Sequence, residues 1–222
     1  QKSAGRTGGA GLVLQRALIE TLTMVGASTV IAAAAGLPLG LILACTAPGH
    51  ILEQRLINRI LGAIINVGRS IPFIILMVAV IPFTRFVVGT SIGTTAAIVP
   101  LSIAATPFVA RLVESAVFEI DKGVIEAAQS MGSSPWQIIW KVLIPEALPT
   151  LVLGLTITTV NLIGYSAMAG AIGGGGLGDL AIRYGYQRFR ADVMIQTVVV
   201  LVILVQALQM LGDWASRKLS KR

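Results

Sequence analysis

One histidine, His50, and one cysteine, Cys45, set a low ceiling on the chemistry this chain can perform. A Ser-His-Asp nucleophile needs its histidine beside an activated serine. His50 instead stands in a polar turn after an apolar run, next to Pro48 and Gly49. With no second His or Cys nearby it builds no metal site, so it reads as a solvated loop residue. Cys45 lies within an apolar run, has no partner for an intrachain disulfide, and reads as inert packing. Gly173, Gly175 and Gly178 spell G-x-G-x-x-G. That pattern cradles phosphate only behind a strand and within a parallel sheet. Here it follows a long apolar run and reads as a flexible turn or close-packing segment. No G-x-x-x-x-G-K-[ST] occurs, so the chain carries no phosphate loop of that kind. The residues assign no catalytic, metal or cofactor-binding set.

The polar segment from Ser115 to Glu146 carries more specific information. It holds Glu119, Asp121, Lys122, Glu126, Lys141 and Glu146, too many charges for a helix facing lipid. Within it the run EAAQSMGSSPWQIIWKVLIPEALP begins at Glu126. Glu126, Ala127 and Ala128 favour helix, and Gly132 suits the left-handed residue that ends one. Ser134, Pro135 and Gln137 form a capping box with proline at the first helical position. Pro145 is expected to stop the second helix. Ile125, Ala127, Ala128 and Met131 are expected to present a small apolar face to water, the mark of a partner surface. The plain alternative is a capped hairpin lying on a membrane surface.

The elements that must carry this insert follow from composition. The 222 residues are 55% hydrophobic and 12% charged, with mean hydropathy +0.85. That is far more apolar than a soluble domain. Five runs are long enough to cross a bilayer: about Thr21–Cys45, Leu61–Pro82, Thr94–Val113, Leu148–Met168 and Val193–Leu211. The expected fold is therefore all-α, a single membrane domain over residues 21–212 with five transmembrane helices and the insert, about 115–146, between helices three and four. Residues 1–20 read as a polar, mobile amino terminus without the features of a signal peptide, and 213–222 as a basic tail. The net charge of +7 is scattered between apolar runs and forms no nucleic-acid stripe. With the carboxyl terminus in the cytoplasm, ten of the 17 basic residues fall inside: Arg55, Arg59, Arg69, Arg111, Lys122, Lys141, Arg217, Lys218, Lys221 and Arg222. Lys2, Arg6, Arg16, Arg85, Arg183, Arg188 and Arg190 fall outside, a weak positive-inside bias.

EAA, three residues, Gly and a long gap to Leu-Pro resembles the signature of ABC importer permeases, carried here by Glu126, Ala127, Ala128, Gly132, Leu148 and Pro149. The resemblance covers the chain from about Leu18 onward. The runs GRSIPFIILM from Gly68, IPFTRFVVGTSIG from Ile81 and GYSAMAGAIGGGGLGDLAIRYGY from Gly164 are similar to methionine-import permeases of the methionine uptake transporter family. It implies a non-catalytic subunit of the bacterial inner membrane that moves methionine, in D and L forms with close analogues, by alternating access. It also implies a second copy of the chain, two cytoplasmic ATPase subunits that hold ATP and magnesium, and an external methionine-binding lipoprotein. The insert becomes the coupling helix that docks into the ATPase, with Glu126, Ala127, Ala128, Met131 and Gly132 as coupling residues, and the amino terminus falls outside. Another small amino acid is the alternative substrate. A secondary transporter fits less well, because spans one, four and five carry almost no ionisable residues.

Two further patterns bear on a pathway. Thr158, Asn161, Tyr165 and Met168 recur along one face of the fourth run, as residues lining or gating a passage would, or as interhelical packing would. Ser28, Ala32, Gly36, Gly40 and Ala44 form a small-residue stripe that lets another helix approach closely, in a second copy or in the same chain. Arg69, about 12 Å into the second run at the helical rise, is expected to pair with Glu114, or else to snorkel or to mark a helix break with Ser70 and Pro72.

Overall fold

The structure, a computed structural model, describes Ala4 to Ser220. Lys2 of the outer basic set, and Lys221 and Arg222 of the tail, lie outside the described residues. Among the described residues every regular element is helical: α1 (Ala4–Cys45), α2 (Arg55–Ser70), α3 (Phe73–Ala79), α4 (Ile81–Val88), α5 (Thr94–Phe118), α6 (Lys122–Ser130), α7 (Pro135–Ile138), α8 (Ile144–Ala169), α9 (Gly176–Leu180) and α10 (Ala191–Leu219). Among the described residues four helical stretches are long and apolar enough to cross a membrane, or five if the broken pair α2 and α3 counts as one span.

The helix bounds differ from the sequence expectation where proline and local packing intervene. The second run does not continue as one helix to Pro82. It breaks at Ile71, which is extended at φ −83 and ψ 121. Pro72 has no N–H to give and pushes the residue before it out of the helical region. Pro82 then opens α4 instead of closing the run. At the other end, residues 4–20 continue the first span as α1. Its Ala17 is buried with Leu177, Leu180 and Val193, and Leu14 and Leu18 pack on that cluster. That apolar face draws the segment into the helix.

The chain forms two packed units. One comprises the chain up to Val30, Pro72–Ala104 and Thr159–Leu208. Within it Ser28 donates to the Ile98 carbonyl at 3.3 Å, joining α1 to α5. The other comprises Ile31–Ile71, Ala105–Thr158 and the chain from Gln209. Here a β-carbon on Gly36 would stand 2.6 Å from Val109, and one on Gly40 would collide with the Ala110 carbonyl. The stripe Ser28, Ala32, Gly36, Gly40 and Ala44 is wholly buried. Its close approach is made to α5 of the same chain, so the stripe offers no face to a second copy.

Candidate functional site

The insert is built by two caps set end to end. Asp121 caps α6, its carboxylate accepting from the Gly123 N–H at 2.7 Å. The helix closes with Gly132 at φ +78, where its N–H donates to the Gln129 carbonyl at 2.9 Å and that of Ser133 to Ala128 at 3.1 Å. This is the doubly bonded glycine terminus that satisfies the last carbonyls. Two residues later the Ser134 N–H donates to Gln137 Oε1 at 2.9 Å and the Gln137 N–H to Ser134 Oγ at 3.4 Å, a reciprocal capping box that starts α7. The expected turn chemistry is all present.

Burial corrects the expected outward face. Ile125 and Ala128 point inward, into a cluster with Ala44, Cys45, Val117, Ile138, Ile139 and Leu143. Glu126, Ala127 and Met131 point out, with Met131 80% exposed. Trp136 and Trp140, which the motif reading passed over, are 70% and 63% exposed. Two tryptophans four apart at a capped helix start are one helical turn apart on the same side, which is the sequence signal that finds them. Pro145 does not stop the second helix. Residues Ile139–Leu143 form a wider π turn in which the Ile144 N–H reaches the Ile139 carbonyl, and the chain runs on through Pro145 into α8. The shifted register meets a residue that has no N–H to place.

In the same unit a cation ties α5 to α2. Arg111 Nη1 donates to Glu114 at 2.5 Å, and Nη2 to the Gly62 carbonyl at 3.2 Å and to Asn66 Oδ1 at 2.9 Å. Glu114 therefore pairs with Arg111 and not with Arg69. The Arg69 guanidinium lies over the Phe108 ring, 5.2 Å from its centroid, at the end of α2 where the helix breaks.

The pathway candidates sit on α8, and the structure separates them. Thr158 is buried and donates to the Gly154 carbonyl of its own helix at 2.9 Å. Asn161 and Met168 are exposed, and Tyr165 is half-buried with its ring stacked on Phe73 at 4.7 Å. Directly after Met168 the chain leaves the regular helix through a π turn, Gly170–Gly174, and enters α9 through Gly175, whose φ +80 and ψ −164 only glycine adopts comfortably. Gly173, Gly175 and Gly178 thus sit in a strap between helices. The strap borders a crevice of about 300 Å³ lined by Met77, Thr84, Ala97, Ala169, Ile172 and Gly174. Among the described residues no three His, Cys, Asp or Glu side chains gather as a metal site.

Residues 36–222 match the family described as "Binding-protein-dependent transport system inner membrane component". The chain belongs to that family. A probable D-methionine transport system permease protein of Vibrio cholerae is 56% identical over 210 residues, covering 95% of this chain and 93% of that protein. The methionine import system permease protein of Bacillus subtilis is 48% identical over 177 residues, covering 80% of each. Among solved structures, an inward-facing MetNI methionine ABC transporter has a chain that aligns with TM-score 0.93 at 51% identity, over 95% of this chain and 97% of that one. An amino acid ABC transporter aligns with TM-score 0.75 at 21% identity, a likeness of fold. The exposed Ile31, Val67, Val78 and Val202 lie on helical stretches, the bent pair α2 and α3 included, that are apolar enough to cross a membrane.

Proposed function

We propose that the chain is the membrane-spanning subunit of an ATP-driven importer for methionine, in D and L forms with close analogues. It works by alternating access and carries no catalytic site of its own. The observation that carries this reading is the rigid double-capped hairpin α6–α7, with Glu126, Ala127, Met131, Trp136 and Trp140 turned outward. A surface with two exposed tryptophans on a fixed frame suits a protein partner better than water. The partner is an ATPase subunit that holds ATP and magnesium. Ala128 supports the coupling surface from beneath by packing, and Gly132 supplies its turn. The substrate class is supported by the methionine systems to which the most similar relatives belong.

The working unit has two copies of this chain, two ATPase subunits and an external methionine-binding lipoprotein. It has five spans with α2 and α3 as one broken span, the hairpin and carboxyl terminus in the cytoplasm, and the amino terminus outside. Asn161, Tyr165 and Met168 line or gate the outer passage on α8, and Thr158 supports the same helix. The test is uptake into proteoliposomes holding the assembled complex and the binding lipoprotein. ATP-dependent accumulation of labelled methionine is expected, lost in full when ATP is withheld. Uptake driven by an ion gradient without ATP, or preference for another amino acid over methionine, overturns the proposal.

A further inference from the structure

The glycine-rich strap is held by two side chains of α1 for which the sequence reading found no role. The Gly176 N–H donates to Glu20 Oε2 at 2.9 Å, and the next N–H, Leu177, donates to Thr21 Oγ1 at 2.9 Å. Arg16 Nε donates to the other Glu20 oxygen at 3.1 Å, so both carboxylate oxygens are engaged. Thr21 is buried. The strap is fitted to this seat. A β-carbon on Gly175 would stand 2.9 Å from Glu20 Oε2, and one on Gly176 would stand 2.6 Å from Thr21 Oγ1. Just before α5 the Gly93 N–H donates to the Gly173 carbonyl at 2.9 Å. A β-carbon on Gly170 would come within 2.5 Å of the Asp179 nitrogen. The strap is therefore clamped from α1 and from the start of α5, and its own turn is closed on itself.

We propose that Glu20 and Thr21 are positioning residues that clasp the strap and thereby fix the outer end of α8, where Met168 stands two residues before the strap begins. The inference rests on the reading of Met168 as a gate. The physical reason is that α9 starts with free backbone N–H groups that no side chain of the strap itself can satisfy, since residues 173–176 are all glycine. A carboxylate is the strongest acceptor for such groups. With it removed, the strap loses its only charged anchor among the described residues and gains freedom that glycine, above all residues, can use.

The experiment uses the assembled complex in a Cys45→Ala background, with Ile172→Cys as a reporter on the strap, since Ile172 is 49% exposed. Its rate of reaction with a polar thiol reagent is measured alongside methionine uptake. Glu20→Ala is expected to raise the reporter's rate about tenfold, the loss of one charge-assisted hydrogen bond, and to cut uptake by a similar factor. Glu20→Gln keeps an acceptor oxygen and should recover most of both. Should the alanine variant fail to assemble, Thr21→Val, nearly isosteric, carries the same two readouts with the same expected direction. An unchanged reporter rate in the variant that assembles overturns the clasp, whatever uptake does. A faster reporter with normal uptake overturns its positioning role. The gate reading is judged separately, by Met168→Ala, so the two can fail independently.

Discussion

At the residue scale the clearest single position is Gly132. Its φ is +78 and nothing lies within 4 Å of where a β-carbon would stand, so a substitution there meets backbone strain and no collision. Gly132→Val should cost about 1–2 kcal/mol in the turn, and methionine uptake should fall severalfold while membrane insertion persists. Gly132→Asn, which tolerates the left-handed region, should keep most activity. Equal uptake in both variants would remove Gly132 from the coupling mechanism. His50 gives a pH signature in the turn beneath the hairpin. Its ring lies 4.9 Å from that of Phe118, and burial first, then the Lys122 charge, holds its pKa below the ordinary 6.5. The folded state thus binds the proton less well than the unfolded chain, and stability declines as pH falls through 6.5. Glu53 is held below its ordinary 4.5 by the Gly49 N–H and by Arg55, so its contribution is present above that value and is lost only at lower pH. His50→Gln should therefore flatten the decline in thermal stability between pH 6.5 and 4.5. An unchanged slope in detergent-purified protein would show that His50 does not titrate with folding.

At the element scale the packing depends on a few places where backbones touch. Gly40 of α1 faces the Ala110 carbonyl and Val113 of α5, whereas Gly26 of the same helix has nothing within 4 Å of its missing β-carbon. Gly40→Ala should destabilise by about 1–3 kcal/mol through overpacking, and Gly26→Ala should be neutral or slightly stabilising. Melting temperatures of the two variants in one detergent decide this, and equal values would mean that α1 and α5 are not closely seated. The same elements show what the sequence made legible. The caps at Ser134 and Gly132 were readable because each depends on residues within a few positions of it. The four-residue spacing of small side chains was readable for the same reason. What faces what was not. In the sequence Ala128 is as available as Ala127, whereas in the fold it is buried in a cluster with Val117 and Ile138, neither adjacent to it in sequence. Pro145 looked like a stop because a local rule cannot anticipate a π turn that removes the need for its N–H. Glu20 is invisible as an anchor in the sequence because the Gly176 N–H that it accepts from lies 156 residues away.

At the scale of the whole molecule the costly feature is the exposed face of α8 that carries Asn161. Asn161 is exposed in the middle of a helical stretch otherwise apolar enough to span a bilayer, and Met168 on the same helix is 46% exposed. An amide facing hydrocarbon without compensation is unfavourable by several kcal/mol on the order of other unsatisfied polar groups. Water in a passage, or another protein surface, relieves that cost where lipid does not. The small-residue stripe cannot supply the second surface, since Gly36 and Gly40 are already closed against α5. A second copy related by a two-fold axis can, because it brings one α8 face toward its twin and encloses a polar passage between them. Native mass measurement of the detergent-extracted complex should then give two copies of this chain for every two ATPase subunits. In a Cys45→Ala background, Met168→Cys should crosslink between copies in at least one nucleotide state, as side chains near a two-fold axis must. A mass corresponding to one copy, or a Met168→Cys variant that never crosslinks and never reacts with polar thiol reagents, would leave α8 facing lipid or its own chain and end both the dimer and the gate.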